Sequence, residues 1–406
     1  MRIHRQIRPI LAALRSHRAA VVLLMLEIAL TMAVLGNLVF IVYGTIQRSH
    51  EPTGVAESEI GLIQSIGVIG QDNPGTVAGN LAAMRAAPGV ADAAYGSLPL
   101  WWVDHNPLFL DASRQHPALH AYEFQGSQHL NSTLGLRVVQ GHDFDDGELP
   151  DAMDVYMGKA TAPIPALLTE SLARRLYPDG SALGRILYDG THGLRVIGIV
   201  DHLRGELTGS AGDDDSLVYE YHVSTQDVGG GFLVRSQPGR LPEALHAAAA
   251  ALQKANPGHV QNKLYTMAEL REGYFRSSLA AGRMLVAIIV ILLVVTALGV
   301  SGLASFWVQQ RRRQIGMRRA LGATRGDIRH YFQAENFLIV TGGVLLGVLF
   351  AYALNLFLMQ RFELPHLPAH YLLVGAVALW LLGQLAVLGP ALRASNVPPV
   401  VATRSV

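Results

Sequence analysis

Four apolar runs constrain this chain more than any other feature. They cover residues 19–43, 284–307, 337–359 and 371–392. Each reaches the ~20 residues a helix needs to cross ~30 Å of hydrocarbon. The first is longer than a signal-peptide core of ~7–15 residues, and no small-residue cleavage pattern follows it closely, so it reads as a retained anchor. The 237 residues from 47 to 283 must fold in water. The fold class expected is an α-helical membrane protein with four transmembrane helices in a 1+3 arrangement. A large α+β extracytoplasmic domain of two subdomains is expected between spans 1 and 2.

Charge is partitioned along the same boundaries. Residues 47–283 carry 27 acids and 17 bases, whereas the remainder carries 15 bases and 4 acids. Arg2, Arg5, Arg8, Arg15 and Arg18 precede the first run, and seven arginines crowd residues 309–336. Arginine beside short membrane loops keeps them cytoplasmic. Both termini and the 308–336 connector are therefore expected inside, with residues 47–283 outside. This asymmetry is a topology signal, and no nucleic-acid partner is expected. The chain has no Cys, which excludes disulfides and thiolate metal sites.

Residues 1–18 read as a cytoplasmic amphipathic helix, with Ile3, Ile7, Ile10, Leu11 and Leu14 at helical spacing. Residues 19–46 take in span 1 and the start of a stalk. In the outer region two strand-helix-strand patterns share a junction. One has a strand at 60–69, a helix at 76–87 and a strand from Val90. The other has a strand at 231–236, a helix at 242–255 and a strand at 260–265. Pro-Gly follows the Ala-rich helix in both, a stop signal. Residues 47–100 and 226–265 are accordingly expected to form one porter-like βαβ subdomain, interrupted by a strand-rich subdomain at 101–225. Within the insert, PALLT followed by ESLARRLY reads as a strand feeding a helix. Residues 145–163 and 209–216 read as exposed loops, the aspartates Asp213, Asp214 and Asp215 among them. A helix over 266–282 is expected to run on as a stalk into span 2, making one segment of 266–307.

No phosphate-binding loop, H-E-x-x-H or G-x-S-x-G is present. His116 and His120 have i, i+4 spacing, but Pro117 between them breaks the helix that would make it useful to a metal. The chain is expected to be non-catalytic, with no cofactor and no metal of its own. Two polar residues inside span 1 stand out. Glu27 is expected to have a structural role, with a functional one as the alternative, and Asn37 to make an interhelical hydrogen bond.

The connector is patterned as two helices meeting at Leu321, Gly322, Ala323 and Thr324. Thr324-x-x-Asp327 is a capping-box variant at the second helix start. Ile328 and Phe332 share one face, and Arg325 and Arg329 lie on another. QIGMRRALGATRGDIRHYFQAENFLIVTGGVLLGVLF resembles the signature of the MacB/FtsX family of ABC-transporter permeases. The tail PALRASNVPPVVATRSV (393–406 being cytoplasmic) and the outer segments PGVADAAYGSLPL, VVQGHDF and LLTESLARRLYPDGSALGRI also resemble that family.

The resemblance implies a permease subunit without a fused ATPase domain, coupled to a separate ABC ATPase pair that binds ATP and Mg. The ATPase-coupling residues it implies are Arg318, Arg319, Leu321, Gly322, Ala323, Thr324, Arg325, Asp327, Ile328 and Phe332. Further implied partners are a second permease copy or a homologous permease, the lipid bilayer, a periplasmic adaptor and an outer-membrane channel. Localisation in a bacterial inner membrane is expected. The implied activity is mechanotransmission, with tripartite efflux of a periplasmic substrate as the leading subtype. Lipoprotein extraction of the LolC/LolE kind and FtsX-like regulation are the alternatives.

Overall fold

The computed structural model describes residues 18–66, 74–208, 212–223, 231–257, 260–362 and 367–398. The amphipathic helix expected over 1–18 lies outside these residues, as does the end of the tail. The chain divides into two compact units, one of Gln47–Ser277 and one of Met1–Ile46 with Ser278–Val406.

The outer unit is built on a single 11-stranded sheet. Its first part comprises β1 (Ile60–Ile66), α2 (Pro74–Arg85), β2 (Val90–Gly96), β10 (Gly231–Ser236), α6 (Leu241–Ala255) and β11 (Val260–Thr266), where α1 is the helix Arg18–Ser49. These four strands lie in the order β11-β1-β10-β2, every neighbouring pair antiparallel. Each βαβ unit therefore straddles a strand of the other, the interleaving of a ferredoxin-like sheet. Helices α2 and α6 cover the sheet through Leu81, Met84, Leu245, Ala248 and Leu252, packed on Ile63, Phe232 and Val234. Gly89, beyond the end of α2, has φ +79°, a left-handed conformation that glycine adopts without steric cost.

The inserted strands are β3 (Asp104–Leu108), β4 (Leu119–Ser127), β5 (Val138–Gly141), β6 (Ile164–Thr169), β7 (Ile186–Tyr188), β8 (Gly193–Val200) and β9 (Ser216–Tyr221). The short helices α3 (Leu130–Leu134), α4 (Ala152–Tyr156) and α5 (Glu170–Leu176) accompany them. The expected strand-to-helix passage at PALLTESLARRLY is β6 into α5, and Thr169 Oγ1 caps it by accepting from Leu172 N at 3.4 Å. Among the described residues, the two parts of the sheet join where Gly96 lies opposite Gly126. A Cβ on either glycine would fall 2.5–2.6 Å from a backbone carbonyl oxygen, so the strands meet at bare backbone.

Residues 145–163 are not a plain loop. They contain a 3₁₀ turn at Asp146–Glu148 and α4, whose Ala152 and Val155 are buried. Asp145 and Asp151 cap these turns from their side chains, which is why so acidic a segment is helical at all.

The membrane unit contains α1 and α7 (Met267–Gln310, shared with the outer unit), α8 (Arg312–Ala320), α9 (Arg325–Phe362) and α10 (Ala369–Ser395). Four of these helices, α1, α7, α9 and α10, are long and apolar enough to cross a membrane. Helix α7 is unbroken over its 44 residues. The packing of α1 on α9 depends on glycine. A Cβ at Gly343 would meet Ile28 at 2.8 Å, and one at Gly347 would meet Met32 at 2.5 Å. Small residues spaced four apart let two backbones approach where lipid offers no hydrophobic drive.

Candidate functional site

The connector is a braced turn. Leu321, Gly322 and Ala323 donate back to Met317 O, Arg319 O and Arg318 O at 3.0, 3.1 and 3.0 Å. Gly322 sits at φ +96°, a conformation that penalises any other residue. Thr324 and Asp327 then form a reciprocal capping box. Asp327 N donates to Thr324 Oγ1 at 3.2 Å, and Asp327 Oδ2 accepts from Thr324 N at 3.0 Å and from its hydroxyl at 2.7 Å.

Behind the turn lies a small core of its own, made by Val308, Ile315, Ile328, Phe332, Ala391, Ala394 and Val397. This alters the site expected from sequence. Ile328 and Phe332, expected among the ATPase-coupling residues, are only 3% and 4% exposed. Their i, i+4 stripe is apolar because it packs on α8 and α10. The apolar side chains left outside are Met317 and Leu321, at 59% and 83% exposure.

Two arginines brace this core. Arg311 reaches both carboxylate oxygens of Glu335, at 2.9 and 3.0 Å, with both side chains nearly buried. Arg319 donates to Ser395 O and Val397 O at 3.1 and 2.8 Å, satisfying carbonyls that the end of α10 leaves without helical partners. Arg318 lies over the Tyr331 ring at 4.8 Å. Arg312, Arg313, Arg325 and Arg329 are exposed. Sequence reasoning missed the Arg311–Glu335 pair, because 24 residues and a turn separate its members and no local spacing signals it.

In the membrane segment, Asn37 Nδ2 donates to Ala33 O at 2.9 Å and to Ala351 O on α9 at 3.2 Å. The Glu27 carboxylate lies against Gly299 of α7, where a Cβ would come within 2.6 Å of it. One turn on, the hydroxyls of Thr31 and Thr296 meet at 2.8 Å.

The outer unit has a second charged cluster, and it corrects the reading of the aspartate run. Asp213 and Asp215 are 3% and 0% exposed. Asp213 accepts from Thr208 Oγ1 at 2.6 Å, and Asp215 pairs with Arg175 and accepts from Ser171 Oγ at 2.9 Å. Asp214 holds Arg204 Nε at 2.7 Å, and Arg204 also pairs with Glu51. Arg271, one turn into α7, donates to Ser49 O and Glu51 O at 3.1 and 2.8 Å and to Glu57 Oε1 at 2.6 Å. Asp214 is therefore linked through Arg204 to the residues that follow α1, and Arg271 ties those residues to α7 as a clasp.

His120 lies on β4 with its ring 5.6 Å from that of His105, not beside His116 on a helix. Among the described residues, no three His, Asp or Glu side chains are grouped to hold a metal ion.

The FtsX-like permease C-terminal domain family matches residues 286–399, which take in the braced turn and the helices on both sides of it. The chain carries an FtsX-like permease C-terminal domain. Across 99% of its length the permease is 25% identical to a macrolide export ATP-binding/permease protein, MacB, of Nitrosomonas europaea, covering 59% of that protein. Over 53% of its length it is 28% identical to MacB of Chromobacterium violaceum, covering 33% of that chain. It is also 24% identical to the uncharacterised ABC transporter permease YknZ of Bacillus subtilis, over 69% of this chain and 68% of that one. The permease thus spans a third to three-fifths of these MacB relatives. Among solved structures, the periplasmic region of MacB from Actinobacillus actinomycetemcomitans aligns with 56% of the permease at 12% identity and a TM-score of 0.36, covering 97% of that chain.

Proposed function

We propose that this permease is the membrane subunit of an ABC-type mechanotransmission transporter, driven through its 308–336 connector by a separate ATPase pair that itself binds ATP and Mg. The observation that carries this reading is Leu321. A large apolar side chain, 83% exposed, stands at the tip of a turn that glycine, a capping box and two braced arginines hold in one conformation. A rigid apolar knob ringed by exposed arginines suits insertion into a groove on a partner protein. Leu321 and Met317 would be the inserted residues, and Arg312, Arg313, Arg325 and Arg329 the charged rim. Ile328 and Phe332 would hold the knob in place.

Force on the knob would pass into α7, whose helix is unbroken from Met267 to Gln310. In the outer unit the Arg271 clasp would take up that movement, because it ties α7 to the residues after α1. The apolar face of α7, with Met284, Ile291 and Leu298 at 61–70% exposure, supports a second permease copy or a homologous permease beside it in the bilayer. In this reading the termini and connector are cytoplasmic and the outer unit is periplasmic. The substrate is handled outside an inner membrane, with a periplasmic adaptor and outer-membrane channel completing an efflux assembly.

The test is purification of the tagged full chain from its native membranes in mild detergent, with mass spectrometry of its companions. An ABC ATPase at stoichiometric level is the expected result. An intact preparation that reproducibly brings none would remove the engine from the proposal.

A further inference from the structure

We propose that the outer unit carries a binding site for an alkylammonium group, with Glu123 as its principal acceptor. The inference is independent of the transporter reading. The site lies on one face of the strands β3, β4 and β9. Asp104 and Glu123 are cross-strand partners, and so are Gln125 and Tyr219. With Asn106 they place an unusual number of polar groups on a face whose neighbours, Ala121 and Leu217, belong to the apolar core of the insert. Like charges directly opposed across a ladder destabilise a sheet, so nothing in the folding of the strands calls for this pair.

These residues line a cavity of about 280 Å³, closed on the other side by Val155 and Tyr156 of α4 and by the β7–β8 turn at Asp189 and His192. Glu123 is 3% exposed. Its Oε2 accepts from Asn106 Nδ2 at 2.9 Å. Its Oε1 is buried and has no hydrogen-bond partner among the described residues. A buried carboxylate oxygen left unsatisfied is costly. Burial pushes the Glu123 carboxyl up to about 7, Asn106 pulls it the other way, and Asp189 and Asp104 push it up further.

The other groups of the cavity decide what it would take. Asp189 is already spent, since it accepts from the backbone N–H of Thr191 and His192 and from His192 Nδ1 at 3.1 Å. The opposite nitrogen, His192 Nε2, donates to Val155 O at 2.6 Å. A ring that donates from both nitrogens is an imidazolium, so Asp189 and His192 neutralise each other. Asp104 accepts from Gln125 Nε2 at 3.0 Å, and Gln125 Oε1 accepts from Tyr219 at 3.1 Å, which fixes the second carboxylate in place.

Two carboxylates therefore remain to meet a ligand, too few for a bare metal ion, in keeping with the absence of any metal-holding group among the described residues. A primary ammonium offers one positive charge and three N–H donors, which match Glu123 Oε1 and Asp104. Its methylene stem would lie along Val155 and Tyr156 toward the mouth, where Tyr156 is 69% exposed. The cavity admits a small free amine or the end of a lysine side chain.

Calorimetric titration of the full chain in lipid nanodiscs tests this, using n-butylammonium, N-acetyl-lysine amide, 1-butanol and calcium chloride as probes. Saturable binding of n-butylammonium and none of 1-butanol is expected. Glu123→Gln should weaken n-butylammonium binding by roughly tenfold or more, and Asp104→Asn by less. Tighter binding of the lysine amide would identify a peptide side chain as the source, and the reverse order a free amine. The proposal is overturned if the intact parent binds no amine saturably, binds 1-butanol equally well, binds calcium alone, or loses no affinity in Glu123→Gln. Should that variant fail to fold by circular dichroism, Asp104→Asn decides, and unchanged affinity there overturns the proposal.

Discussion

The connector and the aspartate run are both short, highly charged segments between regular elements, and the structure uses them in opposite ways. Asp213 and Asp215 turn inward and are consumed by Thr208, Ser171 and Arg175. Among the described residues, the connector commits Arg311, Arg318 and Arg319 to internal partners and leaves Arg312, Arg313, Arg325 and Arg329 exposed around a bare leucine. Charge density alone does not say whether a segment meets solvent, a partner or its own chain. What separates the two is whether opposite charge lies within reach in the fold. The aspartates have Arg204 and Arg175 beside them, whereas four connector arginines extend past the buried acid Glu335, which Arg311 already occupies.

Substitutions sharpen this contrast, and the largest effect belongs to the internal pairs. Glu335→Ala strands Arg311, 11% exposed, without its carboxylate. Breaking such a pair from one side costs about 3–5 kcal/mol, which predicts a marked fall in the thermal midpoint of the detergent-purified chain. An unchanged midpoint would mean the pair does not brace the connector.

Arg271→Ala removes three charge-assisted hydrogen bonds from the clasp. A loss of about 2–4 kcal/mol is expected, with faster amide exchange confined to residues 49–57 and the start of α7. Global loosening would assign Arg271 a different role.

Glu123→Gln reads burial through pH. Burial pushes the folded carboxyl up to about 7, from an ordinary value near 4.5. The folded state therefore holds the proton more tightly, and stability falls as pH rises from about 4.5 to about 7, then levels. The full penalty is on the order of 3 kcal/mol. The glutamine variant should gain on the parent at pH 8 and show little difference at pH 4.5. An equal difference at both would exclude titration as the cause. Glu220, raised to about 7 by burial against the pull of backbone N–H groups from Asn131 and His129, adds a decline of the same sign that this variant leaves in place.

Thr324→Ala should cost about 1 kcal/mol, the usual worth of an N-cap. Amide exchange at the start of α9 would report it, and no change there would show that the box does not hold the turn.

Much of this architecture was legible in the chain. The four spans follow from apolar length, and both βαβ patterns from periodicity with Pro-Gly stops. The turn at Leu321 and the Thr324–Asp327 box follow from local spacing, because capping is decided within four residues. What escaped was non-local. Phe332 and Ile328 make a stripe that looks like a docking face, and only the arrival of Ala391 and Ala394 from α10 shows that it is already occupied. The acids of 213–215 look solvated until Arg204 and Arg175 are placed beside them. Glu123 reads as an ordinary polar residue of an alternating strand, and only register reveals Asp104 opposite it.

In the proposed complex Leu321, and not the buried stripe beneath it, would meet the ATPase. A photo-crosslinking residue at position 321, compared with one at position 332, tests this most directly in native membranes. The expected result is a crosslink from 321 to an ABC ATPase chain, its loss when Met317 is also changed to Asp, and none from 332. A folded protein that crosslinks the ATPase from 332 but not from 321, or from neither, would contradict it.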